Sequence, residues 1–283
     1  MKKRTIYEER VVEWRPRKVS KYLAAILKDH KKWLENNGGK RANLRDSDLM
    51  DLDLSGSDLR NSDLSNSNLR RSDFRHSNFS GSDLSGSDLR DSDFRGSNLS
   101  GSNLSDSDLR GSDFEGSDLR GSNLRNSNLR HSDLSGSYLS GSNLRGSDLR
   151  GSDFEGSDLR DSDLRRSDLR GSNLSGSDFE GSDLSGSYLS GSDLRGSNLR
   201  NSNLMHSDLS GSDLRGSDLR GSNLDFSCWP LWCGTKGVIL DDNQKDQLKL
   251  HLYWVLGDDD PVKAQIKEAA KRAADKRNIA LDY

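Results

Sequence analysis

At every fifth position from 44 to 224 the chain carries Leu or Phe, 37 times in succession and without a slip in phase. Neither regular element has that period, since a helix returns to one face after about 3.6 residues and a strand after 2. A short extended stretch closed by a turn does have it, and repeated turns of one hand wind the chain into a coil. With Leu/Phe taken as the centre of a unit, the position two before it is Ser in all units but those of Ala42 and Leu52. The position one before is Asp or Asn except at Tyr138 and Tyr188. Arg, Ser or occasionally Glu follows the centre, and then most often Gly. In the extended part, residues two apart share a face, so Ser and Leu turn inward while Asp and Arg turn outward. Gly, Asn and Asp supply the corner, where positive φ or side-chain capping is needed.

Composition has to be read through this repeat. A hydrophobic content of 30% and 27 glycines would alone suggest a disordered Ser/Gly/Asp-rich chain, as would the mean hydropathy of −0.91. Strict spacing argues instead for a repeated structural unit. No apolar run reaches the roughly 18 residues of a membrane span, and the start, MKKRTIYEERVVEW, lacks the apolar core of a secretion signal. A soluble cytoplasmic protein is expected. Cys228 and Cys233 are too few for a disulfide framework or a four-cysteine zinc site and read as small buried residues. Three segments emerge. Residues 1–41 carry 13 Lys+Arg against 5 Asp+Glu, residues 42–226 carry 21 Arg, no Lys and 32 acidic residues, and residues 227–283 balance at nine of each sign. A moderately acidic rod of this kind does not indicate nucleic-acid binding.

The S(D/N)L(R/S)G pattern resembles the A(D/N)LXX signature of pentapeptide repeat proteins over about 185 of the 283 residues. The resemblance implies an all-β solenoid, a right-handed quadrilateral β-helix with four pentapeptides per turn and the centre and minus-two side chains inside. Residues 42–226 would then form about nine coils, a rod about 45 Å long. No proline interrupts that span, as a backbone ladder requires. HKKWL at 30–34 and GGKRANL at 38–44 resemble the leader before many bacterial and phage-encoded members, and imply a cap. Uniformity of this degree fits recent tandem duplication or a consensus-like engineered origin.

One departure from the family stands out. Ser occupies the minus-two position 34 times running from Ser57 to Ser222, where the family usually has Ala. Each buried hydroxyl costs free energy unless bonded to a backbone carbonyl or a stacked serine. Ser→Ala at Ser122, Ser142 and Ser162 is therefore expected to raise the melting temperature, and an unchanged or lowered value would reveal a favourable hydroxyl network.

Assigning every twentieth residue to one face draws the outside. One face carries the column Arg70, Arg90, Arg110, Arg130, Arg150 and Arg170. The next carries Asp53, Asp73, Asp93, Asp113, Asp133 and Asp153, with Glu115 and Glu155 after their centres and Phe74, Phe94, Phe114 and Phe154 beneath. Like charges at strand spacing repel, and Asp88, Asp108, Asp148 and Asp168 stand two residues before arginines of the basic column as counter-charges. Laced salt bridges are one reading of this surface. A flat charged face that docks a protein partner is the other, with Arg70 to Arg170 and Asp73 to Asp153 as candidate contacts.

The ends of a solenoid need covering. Ser20 can cap a helix in which Leu23, Ile26, Leu27, His30, Trp33 and Leu34 share a face, with a strand at 5–14 before it and Pro16 between them. At the other end Ser227, Cys228 and Trp229 keep the repeat phase, Pro230 ends it, and Trp232 helps close the core. Asp242 can open a helix bearing Leu248, Leu252 and Val255. Asp260 and Pro261 can open another bearing Val262, Ile266, Ala269, Ala270 and Ala273. These helices cap the rod or pair two chains into a homodimer.

No catalytic constellation is legible. His76, His131 and His206 sit at corners, no serine has a His/Asp arrangement or nucleophile elbow, and phosphate-loop, dinucleotide and calcium-repeat motifs are missing. A non-enzyme without cofactor, metal or small-molecule substrate is expected, a rigid rod that binds a protein or itself. The resemblance also implies an alternative, since some members imitate duplex DNA and bind DNA gyrase. Twenty-one arginines on the rod fit that poorly.

Overall fold

Ser122 to Asn126 show how one unit is built and held. The Ser122 N–H donates to the Leu119 carbonyl at 3.1 Å and closes a turn, and the Asn123 N–H donates back one coil to the Ser102 carbonyl at 2.9 Å. The Leu124 N–H donates forward to the Asn143 carbonyl at 2.7 Å, and the Asn126 N–H to the Arg145 carbonyl at 3.0 Å. In the computed structural model, which describes residues 19–230, 235–255, 267, 270, 271 and 274, this scheme recurs unit after unit.

Parallel bridges link each minus-one residue to the one twenty positions on, in four columns that begin Asn43↔Asp63, Asp48↔Asn68, Asp53↔Asp73 and Asp58↔Asn78. Four units therefore complete a turn. We number the faces by these columns, so that the first bears centres 44, 64, 84 and onward, and the second, third and fourth follow in chain order. The extended stretch expected from the pattern shrinks to one bridging residue per side, because the rest of each five-residue unit is spent on the turn.

The interior is a column of centres, nearly all fully buried from Leu59 to Leu224. Three rings on the third face stack, Phe74 on Phe94 at 4.7 Å and Phe94 on Phe114 at 4.9 Å. The serines are buried beside them. Most hydroxyls donate to the carbonyl of a centre, either one coil back, as Ser147 to Leu124 at 2.6 Å, or in the preceding unit, as Ser137 to Leu134 at 2.5 Å. Among the described serines, the Ser102, Ser117, Ser122 and Ser142 hydroxyls lack a partner. Ser162 does not belong with them, because its hydroxyl donates to the Leu159 carbonyl and also approaches the Ser182 hydroxyl at 3.5 Å.

Corners adopt positive φ whatever residue occupies them, from Gly96 at 63° to Arg71 at 52° and Arg166 at 58°. Their side chains lean toward the next coil. Thus Asn61, His76, Asp91, His131 and Asp161 each precede a glycine by one turn, and a Cβ on Gly96 would lie 2.8 Å from His76 Nδ1. Where another side chain follows instead, it can be a partner: Arg71 bonds Asp51 at 2.7 Å, Asn126 bonds Asp106 at 3.2 Å, and Phe226 stacks on His206 at 5.1 Å.

Helix α1 (Lys21–Leu34) starts at Ser20, whose hydroxyl accepts from the Leu23 N–H at 3.1 Å. Leu23 enters the core, and Val19, Ile26 and Leu27 pack against it. Trp33 stays half-exposed and stacks on His30 at 5.6 Å. His30 is fully buried, its Nδ1 accepting from the Ala42 N–H at 3.0 Å where the chain enters the first coil.

Helix α2 (Asp242–Val255) begins one residue after its cap. Asp241, not Asp242, is that cap: its Oδ1 accepts from the Asn243 and Gln244 N–H groups at 2.8 and 3.1 Å, and its own N–H donates to Gln244 Oε1 at 2.9 Å. This is a capping box, a reciprocal pair of bonds that satisfies free donors at a helix start. The expected strand at 5–14, Pro16, Trp232, Cys233 and the start of the second C-terminal helix at Asp260 and Pro261 lie outside the described residues. So do Val262, Ile266, Ala269 and Ala273, whereas Ala270 is helical and buried.

Two outcomes follow from this packing. Ser122→Ala and Ser142→Ala should raise stability, each by about 1–3 kcal/mol for an unsatisfied hydroxyl, whereas Ser162→Ala should lower it by about 1 kcal/mol. Thermal melts of the three variants check the contrast. Burial, opposed by Asp58, holds the His30 imidazole below its ordinary pKa of 6.5. The folded chain then binds this proton less readily than the unfolded one, so stability should fall as pH drops below 6.5. In His30→Asn that step should vanish from a plot of melting temperature against pH.

Candidate interaction faces

Asp and Asn at minus one have a backbone task before any other. Their side-chain oxygen accepts the N–H of the residue after the centre, as Asp53 does from Ser55 at 3.1 Å and Asp153 from Glu155 at 2.9 Å. This side-chain-capped turn leads the chain into each corner. The Asp column of the third face is thus first a set of turn residues. Tyr138 and Tyr188 cannot accept in this way, and both rings stand half-exposed, with the Arg170 guanidinium 5.8 Å from the Tyr188 ring centre.

The Arg column runs up the second face, as the twenty-residue bridge register requires. Arg90, Arg110, Arg150 and Arg170 fork onto Asp88, Asp108, Asp148 and Asp168, with closest contacts of 2.5, 2.6, 2.5 and 2.5 Å. Arg90 and Arg150 also reach the aspartate of the next coil at 3.5 and 3.6 Å. Arg70 and Arg130 follow Asn68 and Asn128. Arg70 comes only within 3.9 Å of Asp88, and Arg130 makes no ion pair among the described residues.

On the third face Arg75 and Arg95 fork onto Asp73 and Asp93, each at 2.5 Å, and Arg95 reaches Asp113 at 3.3 Å. Compensation then lapses before it resumes at Arg195 on Asp193 and Arg215 on Asp213, each at 2.5 Å. Glu115, Asp133, Asp153 and Glu155 have no ion pair among the described residues, although Asn173 donates to Asp153 and Glu155 at 3.1 and 3.3 Å. Electrostatics record the difference. Burial alone would raise the Asp73 carboxyl, but hydrogen bonds from Arg75 bring it below its ordinary value. The Asp113 carboxyl is pushed up, chiefly by burial, with Asp93 and Asp133 adding to the shift.

The pentapeptide repeat family model matches in overlapping blocks from 40–66 to 187–225, well over half of the chain. The chain belongs to the pentapeptide repeat family. Its solenoid is accordingly the family's right-handed β-helix. Among solved pentapeptide repeat structures it is similar to HetL, involved in heterocyst differentiation regulation in the cyanobacterium Nostoc sp. strain PCC 7120. The identity is 27%, covering 74% of this chain and 92% of HetL, with a TM-score of 0.40. It is similar also to QnrB1, a plasmid-mediated fluoroquinolone resistance protein, at 21% identity over 64% of this chain and 92% of that one, with a TM-score of 0.48. No curated protein matches the sequence significantly.

At the C-terminal end of the pentapeptide repeat rod the phase persists through a bridge from Asp208 to Cys228. Cys228 takes the outward minus-one position and is therefore exposed, contrary to the buried site expected of it. Trp229 packs partly buried against the core. Residues beyond Pro230 return once more, which the repeat pattern does not announce: Ile239 bridges Asp218 at an offset of 21, and Val238 and Leu240 join the core. The capping box of α2 then closes the last coil. Asp241 Oδ2 accepts from the Gly221 N–H at 2.9 Å and Gln244 Nε2 donates to the Ser222 carbonyl at 2.9 Å, standing in for a further backbone turn. Of the candidate end contacts, Leu248 is half-buried, while the structure describes only the backbone of Leu252 and Val255. His76, His131 and His206 occupy positive-φ corners, and no group of three or more metal-binding side chains occurs among the described residues. No helix there is long and apolar enough to cross a membrane.

Asp73 and Asp113 should respond oppositely to neutralisation. Asp73→Asn should cost about 1.5–3 kcal/mol, the range for a hydrogen bond to a charged group, whereas Asp113→Asn should be neutral or stabilising. The sign follows from linkage, because a carboxyl lowered on folding stabilises once ionised and a raised one destabilises. Melting curves at neutral pH check both, and acidification should remove the difference.

Proposed function

We propose that this chain is a non-catalytic interaction module, a rigid rod of about nine coils over residues 42–226 with end caps at 1–41 and 227–283. One observation carries the reading. Serine, leucine and the main chain are committed to stacking and the minus-one oxygen to its turn, so chemistry is left only to outward columns of fixed spacing. A rigid array of this kind suits recognition of a macromolecule, which contacts many columns at once. Most of the Arg column is tied up in ion pairs. The part of the candidate face that we assign to contact is the carboxylate run from Asp113 to Glu155. Self-association through this surface or through α2 belongs to the same reading.

Gyrase binding by DNA mimicry is the alternative that the family suggests. The Arg–Asp lattice weighs against it, because forked pairs cancel the anionic surface that a duplex presents. A gyrase supercoiling assay beside light scattering decides between the readings. We expect supercoiling to proceed unchanged in the presence of this protein. Potent inhibition by a dimeric form would place the gyrase reading first.

A further inference from the structure

Once every ion pair is assigned, the middle of the rod keeps opposite charges on opposite sides. The third face holds Glu115, Asp133, Asp153 and Glu155 without an ion pair among the described residues. Directly across, on the first face, Arg125 and Arg145 are likewise without one. The cause is local on both sides. Arg125 and Arg145 follow Asn123 and Asn143 where other units have Asp, and those neutral amides accept the arginine backbone N–H groups, at 3.2 and 3.1 Å, without pairing the guanidinium charge. Asp133 is followed by Ser135 where other units have Arg. The next carboxylate up the first face, Asp163, is already forked by Arg165 at 2.5 Å. Arg166 at the next corner also makes no ion pair among the described residues.

Register makes the two sides complementary. Bridges at an offset of twenty place Asn123 and Asp133 half a turn apart in one coil, and Asn143 and Asp153 in the next. A second copy beside the first, translated but not rotated, would set Arg125 and Arg145 against the carboxylates at the same height. Glu115, Glu155 and Arg125 are exposed and Arg145 half-exposed, so both rows are accessible.

We propose that the partner of the carboxylate face is a second copy of this chain, bound side by side and parallel through the Arg125/Arg145 face. The proposal rests on the reading of the rod as an interaction module and names its occupant. Because the two surfaces differ, the contact is heterologous and open-ended, and dimers grow into lateral arrays as concentration rises. With exposed charges as its basis, the association is strong at low ionic strength and screened at high.

Two charge-reversed variants test it, Glu115→Arg with Glu155→Arg, and Arg125→Glu with Arg145→Glu. Arg, Ser and Glu all occur at this position of the repeat, so each variant keeps the fold, which circular dichroism verifies. Sedimentation velocity at low ionic strength should show wild type associating and each variant alone monomeric. An equimolar mixture should associate again, because each variant then meets an opposite face on the other. Wild type that stays monomeric at every salt concentration overturns the proposal. So does wild type that associates as strongly as the variants, since its contact then lies elsewhere, as on α2. Neither outcome touches the reading of the rod as a module for a different protein, which the gyrase assay addresses separately.

Discussion

Everything in this chain depends on the main-chain ladder that joins each residue to the one twenty positions on. A bridging residue donates its N–H backward, and the centre beside it donates forward. That arrangement satisfies backbone groups that burial would otherwise leave costly. It also requires each coil to repeat the last in register. The inward faces can then hold only side chains that tolerate identical neighbours about 4.8 Å above and below. Leu, Phe and a hydroxyl that returns its proton to a carbonyl meet that condition. Serine in place of the family's alanine is therefore a change of bonding as well as of size: most hydroxyls find the carbonyl of a centre, and a few do not.

The same ladder explains why the ends are built as they are. A last coil leaves donors and acceptors facing outward. Asp241 and Gln244 answer them with side-chain atoms, in bonds that also start α2. At the other end His30 receives the Ala42 N–H, so a buried imidazole does the work that the carbonyl of the preceding unit's centre does further along. Both devices are polar side chains imitating backbone.

How much of this was legible in the residues depends on whether one unit or two decide it. The period of five, the inward Ser and Leu, the corner glycines and the Ser20 cap follow from single units, and the structure has them. The corner rule does not, because it relates residues twenty apart: His76 fills the space a Cβ on Gly96 would take, and Asp51 invites Arg71. That signal was present in the sequence once the register was known. Reading minus-one Asp as surface charge missed its turn-capping oxygen, since an Asx turn and an exposed carboxylate look alike in one letter. Cys228 was misjudged because its phase, not its residue type, sets its exposure. The return through Ile239 at an offset of 21 was invisible for a different reason, as no repeated residue marks it. On the candidate face, the pairing of Arg90 with Asp88 was legible at a spacing of two. The run from Glu115 to Glu155 that lacks ion pairs among the described residues is a relation between coils, which no single unit shows.

The claim on which the rest stands is that positions twenty apart lie one coil apart. Spin labels at Ser85 and Ser185, on one face and joined by five successive bridges, measure it directly in a background without Cys228 and Cys233. The ladder predicts a narrow distance distribution near 24 Å between the labelled backbones, five coils at about 4.8 Å each. A broad distribution centred near 50 Å or beyond, as expected for about a hundred residues of flexible chain, would contradict it.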